Sequence, residues 1–482
     1  VTYTKDSTQA HGRVNQTRTW LYYLNTNSKP SADVPWKASP FSEPVLTQTR
    51  RNLVAGQVME NHIPQADGGQ TVQYLHTYYG YNELGQRTDE VQWDGSKWLL
   101  TAYEYHPDHG SLVKRINPLS HQTLYQYDQY GLPSAVIEKD VKDAKGNKVD
   151  LLTRTGYEYR SGWKIWEQNP RGYVTEYEYD ALGRTTKIIE PNDNDDPAWD
   201  PATGSQPSFR TDNPVTSIEY NDTELYSIVT DPLGNRTKYD FDRLGQMAEL
   251  IKYQKDSGQY RVAAVTKLVY DGYGNITAIT DPNRHTSEYT YDAMGRNIAI
   301  IHPQENGFKP RKTMAYDYNT NILTIIDENN HETIEYYDLR GRVIQRKQYN
   351  RYEIIETFQY YDGLGNEILA IDPKGSKALK EYNQLNQLTR IQLPQETFLE
   401  NGLAVTLSPE QRFAYNDAGF KIQDITSMPG NTQQVMEYEV DAVGRVIRTS
   451  VPYTDQGELK TAITETYYDE NGNQVRIVDA NN

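Results

Sequence analysis

The motif Tyr-Asp-x-x-Gly recurs along this chain, and a recurring unit constrains a fold more than any single motif can. Tyr289-Thr290-Tyr291-Asp292-Ala293-Met294-Gly295-Arg296 is nearly repeated by Tyr177-Glu178-Tyr179-Asp180-Ala181-Leu182-Gly183-Arg184. Tyr337-Asp338 leads to Gly341-Arg342 in the same way. A form ending in Asn runs from Tyr270-Asp271 to Gly274, from Tyr361-Asp362 to Gly365 and from Tyr468-Asp469 to Gly472. Looser versions join Tyr81-Asn82 to Gly85, Tyr127-Asp128 to Gly131, Phe241-Asp242 to Gly245, Tyr415-Asn416 to Gly419 and Val440-Asp441 to Gly444. Eleven copies in 482 residues are not chance.

Each copy reads as a β-hairpin. Tyr289 and Tyr291 sit two apart, so on a strand they share a face, and Tyr is a good strand former. Asp or Asn then bonds its own downstream backbone and starts a turn. Gly three residues on supplies the positive φ that the turn needs. An apolar strand follows, such as Lys187-Ile188-Ile189 or Asn297 to Ile301. A second turn closes each hairpin onto the next, as in Asp281-Pro282, Asp231-Pro232, Asp372-Pro373, Asn117-Pro118 and Asn169-Pro170. Short arms of this kind alternate with longer ones that start at Ile63-Pro64, His302-Pro303, Leu393-Pro394 and Val451-Pro452. Apolar residues alternate rather than recur at helical spacing. The expected fold class is all-β, stacked hairpins in one continuous sheet.

Composition supports a sheet with water on at least one face, and would suit a wall wetted on both. Only 36% of residues are hydrophobic, yet 40 are Tyr, which buries a ring while its hydroxyl stays wet or bonded. A net charge of -17 with no basic stripe argues against a nucleic-acid partner. With no Cys there is no disulfide and no thiolate zinc site, which suits a bacterial protein better than a large animal ectodomain. No apolar run reaches membrane-span length, and Val1 to Lys5 lacks the pattern of a signal peptide.

Residues 1–60 carry a weak repeat signal, with a strand at Thr19 to Leu24 and a proline-rich loop at 25–44; residues 61–482 form the repeat body. Insertions fall in the long arms: a hairpin tip at 141–149, a polar excursion at 191–214 and a hairpin around Glu400-Asn401-Gly402. The sequence stops at Asp479-Ala480-Asn481-Asn482 without the strand and Tyr-Asp that follow elsewhere, so a fragment of a longer polypeptide is expected.

These units, about 21 residues apart with Asp-Pro-x-Gly between them, resemble the RHS/YD-repeat family over roughly 63–482. The resemblance implies hairpins wound as a curved spiral sheet, part or all of a hollow shell. Family members include bacterial polymorphic toxins, shell subunits of insecticidal toxin complexes, wall-associated toxins and animal teneurins. In the bacterial members the shell encloses a toxic C-terminal segment, released by aspartyl autoproteolysis near the shell's end. No such end motif and no toxin domain are found, so the piece looks like mid-shell. The implied partners are its own C-terminal toxin or other shell segments, and a delivery apparatus; the implied location is secreted or exported from a bacterium, with the cell surface as the other possibility.

The same residue types also suit other chemistries. Asp180, Asp271, Asp292, Asp338 and Asp362 could be paired carboxylates of a glycosidase, but an active site needs one pair, not a ladder. Asn192-Asp193-Asn194-Asp195-Asp196 spaces oxygens as calcium loops do, without the Gly and distal Glu; a solvated surface loop is expected. His106-Pro107-Asp108-His109 offers two imidazoles to a metal, but it occupies a turn slot. The Tyr ladder could stack sugars, though strand spacing favours packing between rungs. The expectation is therefore a non-catalytic shell segment with no cofactor and no metal, and an adhesion or glycan-binding repeat module as the alternative.

Overall fold

The computed structural model describes residues 3–4, 18–22, 54–64 and 70–480, the last stretch with short gaps, the longest at 202–211. Most of the segment 1–60, including the proline-rich 25–44, lies outside the described residues. Every described element is a strand or a turn. One antiparallel sheet of 35 strands runs in sequence order, each strand paired with the one before and the one after. Among the described strands the hairpin of Glu396–Glu400 and Leu403–Leu407 lies outside it, and Leu388–Gln392 pairs directly with Glu410–Tyr415 across that excursion. Residues 143–146, at the tip expected at 141–149, lie outside the described residues, between Pro133–Lys142 and Lys148–Tyr157.

The sheet has no second layer over it among the described residues, and its burial shows this. The strand Asn297–Ile301 is half-buried along its length apart from Ala299, and among the described residues Val91 and Val174 are the largest side chains almost wholly enclosed. A chain with so few oily residues could not fill a thick core. Stability comes instead from cross-strand pairs. Glu178 faces Lys187, Glu104 faces Lys114, and Glu381 faces Arg390, with ion pairs of 2.9, 3.0 and 2.7 Å.

Two features curve this ribbon. Strands carry a right-handed twist, and most Tyr-Asp hairpins add a register shift at the Tyr, as between Thr290 and Tyr291 or Tyr360 and Tyr361. Such bulges bend the strand and sharpen its twist. Because successive strands reverse direction, all Tyr-Asp turns lie along one edge of the ribbon and all Asp-Pro or Asn-Pro turns along the other. Arg171, on the Pro-turn edge, donates from Nη1 to the carbonyl of Asp469, on the Tyr-Asp edge, at 3.2 Å across 298 residues. Opposite edges can meet only if the ribbon coils and one winding sits on the next. The sheet is a curved spiral.

Candidate functional site

The chain's distinctive chemistry lies along these two turn edges. In the turn of Asp292, the Asp N–H donates to the Arg296 carbonyl and the Gly295 N–H to the Asp292 carbonyl, at 2.9 and 3.0 Å. Asp292 Oδ1 accepts the N–H groups of Met294 and Arg296, and Oδ2 accepts Arg296 Nε at 2.7 Å. Asp128, Asp180, Asp242, Asp271, Asp338 and Asp362 each accept the same two backbone donors. Asp469 accepts the N–H of Asn473 at 2.7 Å. Gly131, Gly183, Gly245, Gly274, Gly295, Gly341, Gly365 and Gly472 all take positive φ. The Pro-turn edge reuses the geometry: Asp281 accepts the N–H groups of Asn283 and His285, both at 2.8 Å, with Arg284 at φ 67° in the glycine slot.

The tyrosines link one turn to the one before. The hydroxyl of Tyr291 donates to the carbonyl of Ile276 at 2.7 Å. Tyr127, Tyr179, Tyr270, Tyr361 and Tyr468 donate likewise to Leu112, Lys164, Met247, Val343 and Val446, at 2.7 to 3.1 Å. In every case the acceptor lies two residues beyond the left-handed residue of the preceding Tyr-Asp turn. Tyr337 differs, donating to Glu335. Tyr291→Phe should lose one hydrogen bond, about 1 kcal/mol, and lower Tm by a few degrees in a thermal melt without changing the far-ultraviolet circular dichroism.

The residue after each Gly reaches forward to the next turn. Arg342 and Arg445 hold their own Asp and stack on Tyr361 and Tyr468, at 4.4 and 4.5 Å from the ring centroids. Arg184 stacks on Tyr220 at 4.3 Å and pairs with Asp222. Gln387 Nε2 donates to the Gly419 carbonyl at 2.8 Å. These side chains fill the space a Cβ would need on the next Gly. At Gly444 a Cβ would stand 2.3 Å from the Phe420 ring, and at Gly183 it would stand 2.9 Å from that of Trp163. Glycine is thus required twice, for φ and for close approach. The sequence carried a partial signal for this, since Trp163, Arg342, Phe420 and Arg445, each directly after a turn Gly, are long or aromatic.

These hydrogen bonds hold several turn carboxylates below the usual aspartate range: the side chain of Arg296 at Asp292, that of Asn275 at Asp271, and the backbone N–H of Arg184 at Asp180. A lowered folded pKa means the folded chain binds fewer protons than the unfolded one. The stability they contribute is therefore full above about pH 4 and drains as pH falls through the depressed values. Tm should stay level from pH 7 to about 5 and drop steeply below 4, the unfolded aspartate value setting the onset.

The edges are not covered alike. The side chains two residues after the Asp or Asn stand out from the sheet at Leu84, Tyr130, Leu182, Leu244, Tyr273 and Met294, between 57% and 95% exposed. At the same position Leu364, Leu385 and Val443 are half-buried. The opposite edge reverses this: the Asn169–Gly172 turn is half-buried, while the turns at Asp231, Asp281 and Asp372 stand largely exposed. This is the pattern of a spiral in which late Tyr-Asp turns lie against early Pro turns.

Other candidate chemistries find these settings. The rings of His106 and His109 stack at 3.8 Å in one turn. Their Nδ1 atoms accept the N–H groups of Asp108 and Ser111 at 3.2 and 3.4 Å. With Tyr125, Tyr127, Asp128 and Tyr130 they line a cleft of about 650 Å³. Tyr130 stacks on Tyr159 at 5.7 Å. Of the calcium-like run, Asp193, Asn194 and Asp196 lie outside the described residues. Asp195 is not in a solvated loop as the sequence suggested: it is buried, with Asn213 donating to it at 3.0 Å and to the Glu190 carbonyl at 2.8 Å. Asn213 thus ties the two described ends of the excursion together beside Glu190. Among the described residues no group of three or more metal-ligating side chains forms, and no helix is long and apolar enough to cross a membrane.

Residues 270–304 match the family model described as RHS Repeat. They hold two Tyr-Asp turns, at Asp271 and Asp292, with the Asp281-Pro282 turn between them. That stretch is an RHS repeat. The turn and tyrosine geometry of that stretch recurs from Asn82 to Asn473. No curated protein sequence matches this chain. Similar solved structures include TcdB2-TccC3, 12% identical over 96% of this chain and 34% of that one, with a TM-score of 0.40. A TcdB2-TccC3-TEV structure is 12% identical over 89% and 29%, TM-score 0.40. A Tc holotoxin pore of Photorhabdus luminescens with a mutated TccC3 is 10% identical over 96% and 29%, TM-score 0.41. This chain spans about a third or less of each.

Proposed function

We propose that this chain is a non-catalytic stretch of wall whose windings, with residues 61–482 as the repeat body, help to enclose a polypeptide cargo until delivery. The cargo implied by the family resemblance is a C-terminal toxin, and the source is a bacterium that secretes or exports the assembly. The observation carrying this reading is the contact between Arg171 and Asp469, because a ribbon whose edges meet after 298 residues builds a continuous wall. The catalytic candidates support it too, since each turn carboxylate is spent on its own backbone. Reading the parent gene beyond Asn482 tests the proposal. More Tyr-Asp turns followed by an unrelated C-terminal domain uphold it. A wall-anchoring or membrane-spanning segment with no such domain favours the second reading, a surface adhesion or glycan-binding module. What speaks for that reading is the exposed Tyr130–Tyr159 stack beside the His106–His109 cleft.

A further inference from the structure

We infer that the cleft between the turns of His106 and Asp128 is a binding site for a neutral saccharide, up to the size of a disaccharide. It exists because two turns depart from the pattern around them. Elsewhere the residue after the turn Gly has two duties. It bonds the carboxylate of its own turn, as Asn275, Arg296, Arg342 and Arg445 do. It also reaches forward into the space over the next turn Gly: Arg342 over Gly365, Gln387 over Gly419 and Arg445 over Gly472. At the cleft both duties lapse. The residue after Gly110 is Ser111, too short to reach forward. Among the described residues no atom lies within 4 Å of where a Cβ on Gly131 would stand. The residue after Gly131 is Leu132, which has no group to give a carboxylate. The resulting opening, about 650 Å³, is in the size range of small-molecule sites.

The groups left around it suit hydroxyls. Asp128 accepts the N–H groups of Tyr130 and Leu132 on Oδ1, at 2.8 and 2.9 Å. Its Oδ2 has no partner among the described residues. The Nδ1 atoms of His106 and His109 lie against backbone N–H groups of their own turn, so their Nε2 atoms remain for a ligand. A carboxylate oxygen accepts from neighbouring hydroxyls, and an imidazole nitrogen donates or accepts. Beside these groups stands an aromatic platform. Tyr130 is 57% exposed and stacks on Tyr159 at 5.7 Å, and Arg160 Nε donates to the Tyr159 hydroxyl at 2.5 Å. A sugar ring offers C–H groups to the free face of the platform and hydroxyls to the polar groups. The carboxylate opposes an acidic ligand. A bare organic cation would leave the imidazoles without a partner. The site deepens the adhesion or glycan-binding reading above and is equally compatible with a cargo wall. The parent gene decides between those readings and saccharide titration decides the site, so each can fail alone.

Saturation-transfer-difference NMR of the 482-residue chain tests this, with maltose, cellobiose, lactose and chitobiose in millimolar excess and with glucuronate and tetramethylammonium as charged probes. At least one of the disaccharides should receive saturation, and neither charged probe should. Asp128→Asn keeps the turn, because Asn82 and Asn383 already accept the same backbone N–H groups. It should weaken binding of that disaccharide roughly tenfold, the loss of one hydrogen bond to a charged acceptor. Ser111→Arg should place a guanidinium over Gly131 as Arg342 lies over Gly365, abolishing the signal without lowering Tm. If Ser111→Arg does lower Tm, Asp128→Asn decides alone. Absence of saturation transfer to every disaccharide would overturn the inference. So would transfer to glucuronate or tetramethylammonium alone, or disaccharide binding that Asp128→Asn leaves unchanged.

Discussion

Gly444→Ala should be among the most damaging single changes in this chain, costing about 2 to 5 kcal/mol. Two effects add. The residue sits at φ 87°, in the left-handed region, and an L side chain there costs about 1–2 kcal/mol. The new Cβ would also stand 2.3 Å from the Phe420 ring, which is rigid and cannot bend aside. Forcing an aromatic out of a packed position costs about 1–3 kcal/mol more. Gly245→Ala separates the terms, because φ is 80° and nothing lies within 4 Å of its Cβ. That variant should cost only the backbone strain, about 1–2 kcal/mol. Gly295→Val, with Asn275 Oδ1 at 3.4 Å from the new Cβ, should fall between. Denaturant midpoints of the three should rank in that order; equal midpoints for Gly444→Ala and Gly245→Ala would show that close approach matters little.

Asp338→Ala should cost about 3–5 kcal/mol, the range for an uncompensated buried charge. The side chain of Asp338 is 2% exposed and that of its partner Arg342 is 16% exposed, with 2.5 Å between them. Asp338 also accepts the N–H groups of Arg340 and Arg342 at 2.9 and 3.0 Å. Truncation strands one cation and two backbone donors in a poorly solvated turn. Asp338→Asn keeps an acceptor for the backbone and should recover much of the loss. At Asp292 the side chains of Asp and Arg are 22% and 28% exposed, so water replaces more of what is lost. Asp292→Ala should therefore lower the melting temperature distinctly less than Asp338→Ala does. Thermal melts of the pair decide the point, since equal losses would mean that burial does not set the cost.

The hairpins and their turns were legible because their signals are local. Tyr-x-Tyr alternation, an Asx residue and a Gly three positions on are enough to write strand, turn and strand from the sequence. The links between turns were not legible, because each spans 15 residues or more. Nothing local says that the Tyr291 hydroxyl will find the Ile276 carbonyl, or that Phe420 will lie against Gly444. Burial of Asp195 was missed for a similar reason. A polar run reads as solvated until Asn213, far along the chain, returns to pair with it. The winding contact is the extreme case: Arg171 and Asp469 look like ordinary turn residues, and only accumulated twist over the strands between them brings them together.

The most direct test of the spiral is a cross-link across its seam. The chain contains no Cys, so Arg171→Cys with Glu470→Cys introduces the only two thiols. A short bis-maleimide, added to dilute protein, should join them within single chains and yield one peptide pair spanning 171 and 470 on digestion. A control pair, Arg171→Cys with Met294→Cys, should give none, because Met294 lies on the uncovered edge. If the seam pair reacts only as separate, unlinked thiols, or links no better than the control, the windings do not stack and the wall described here is wrong.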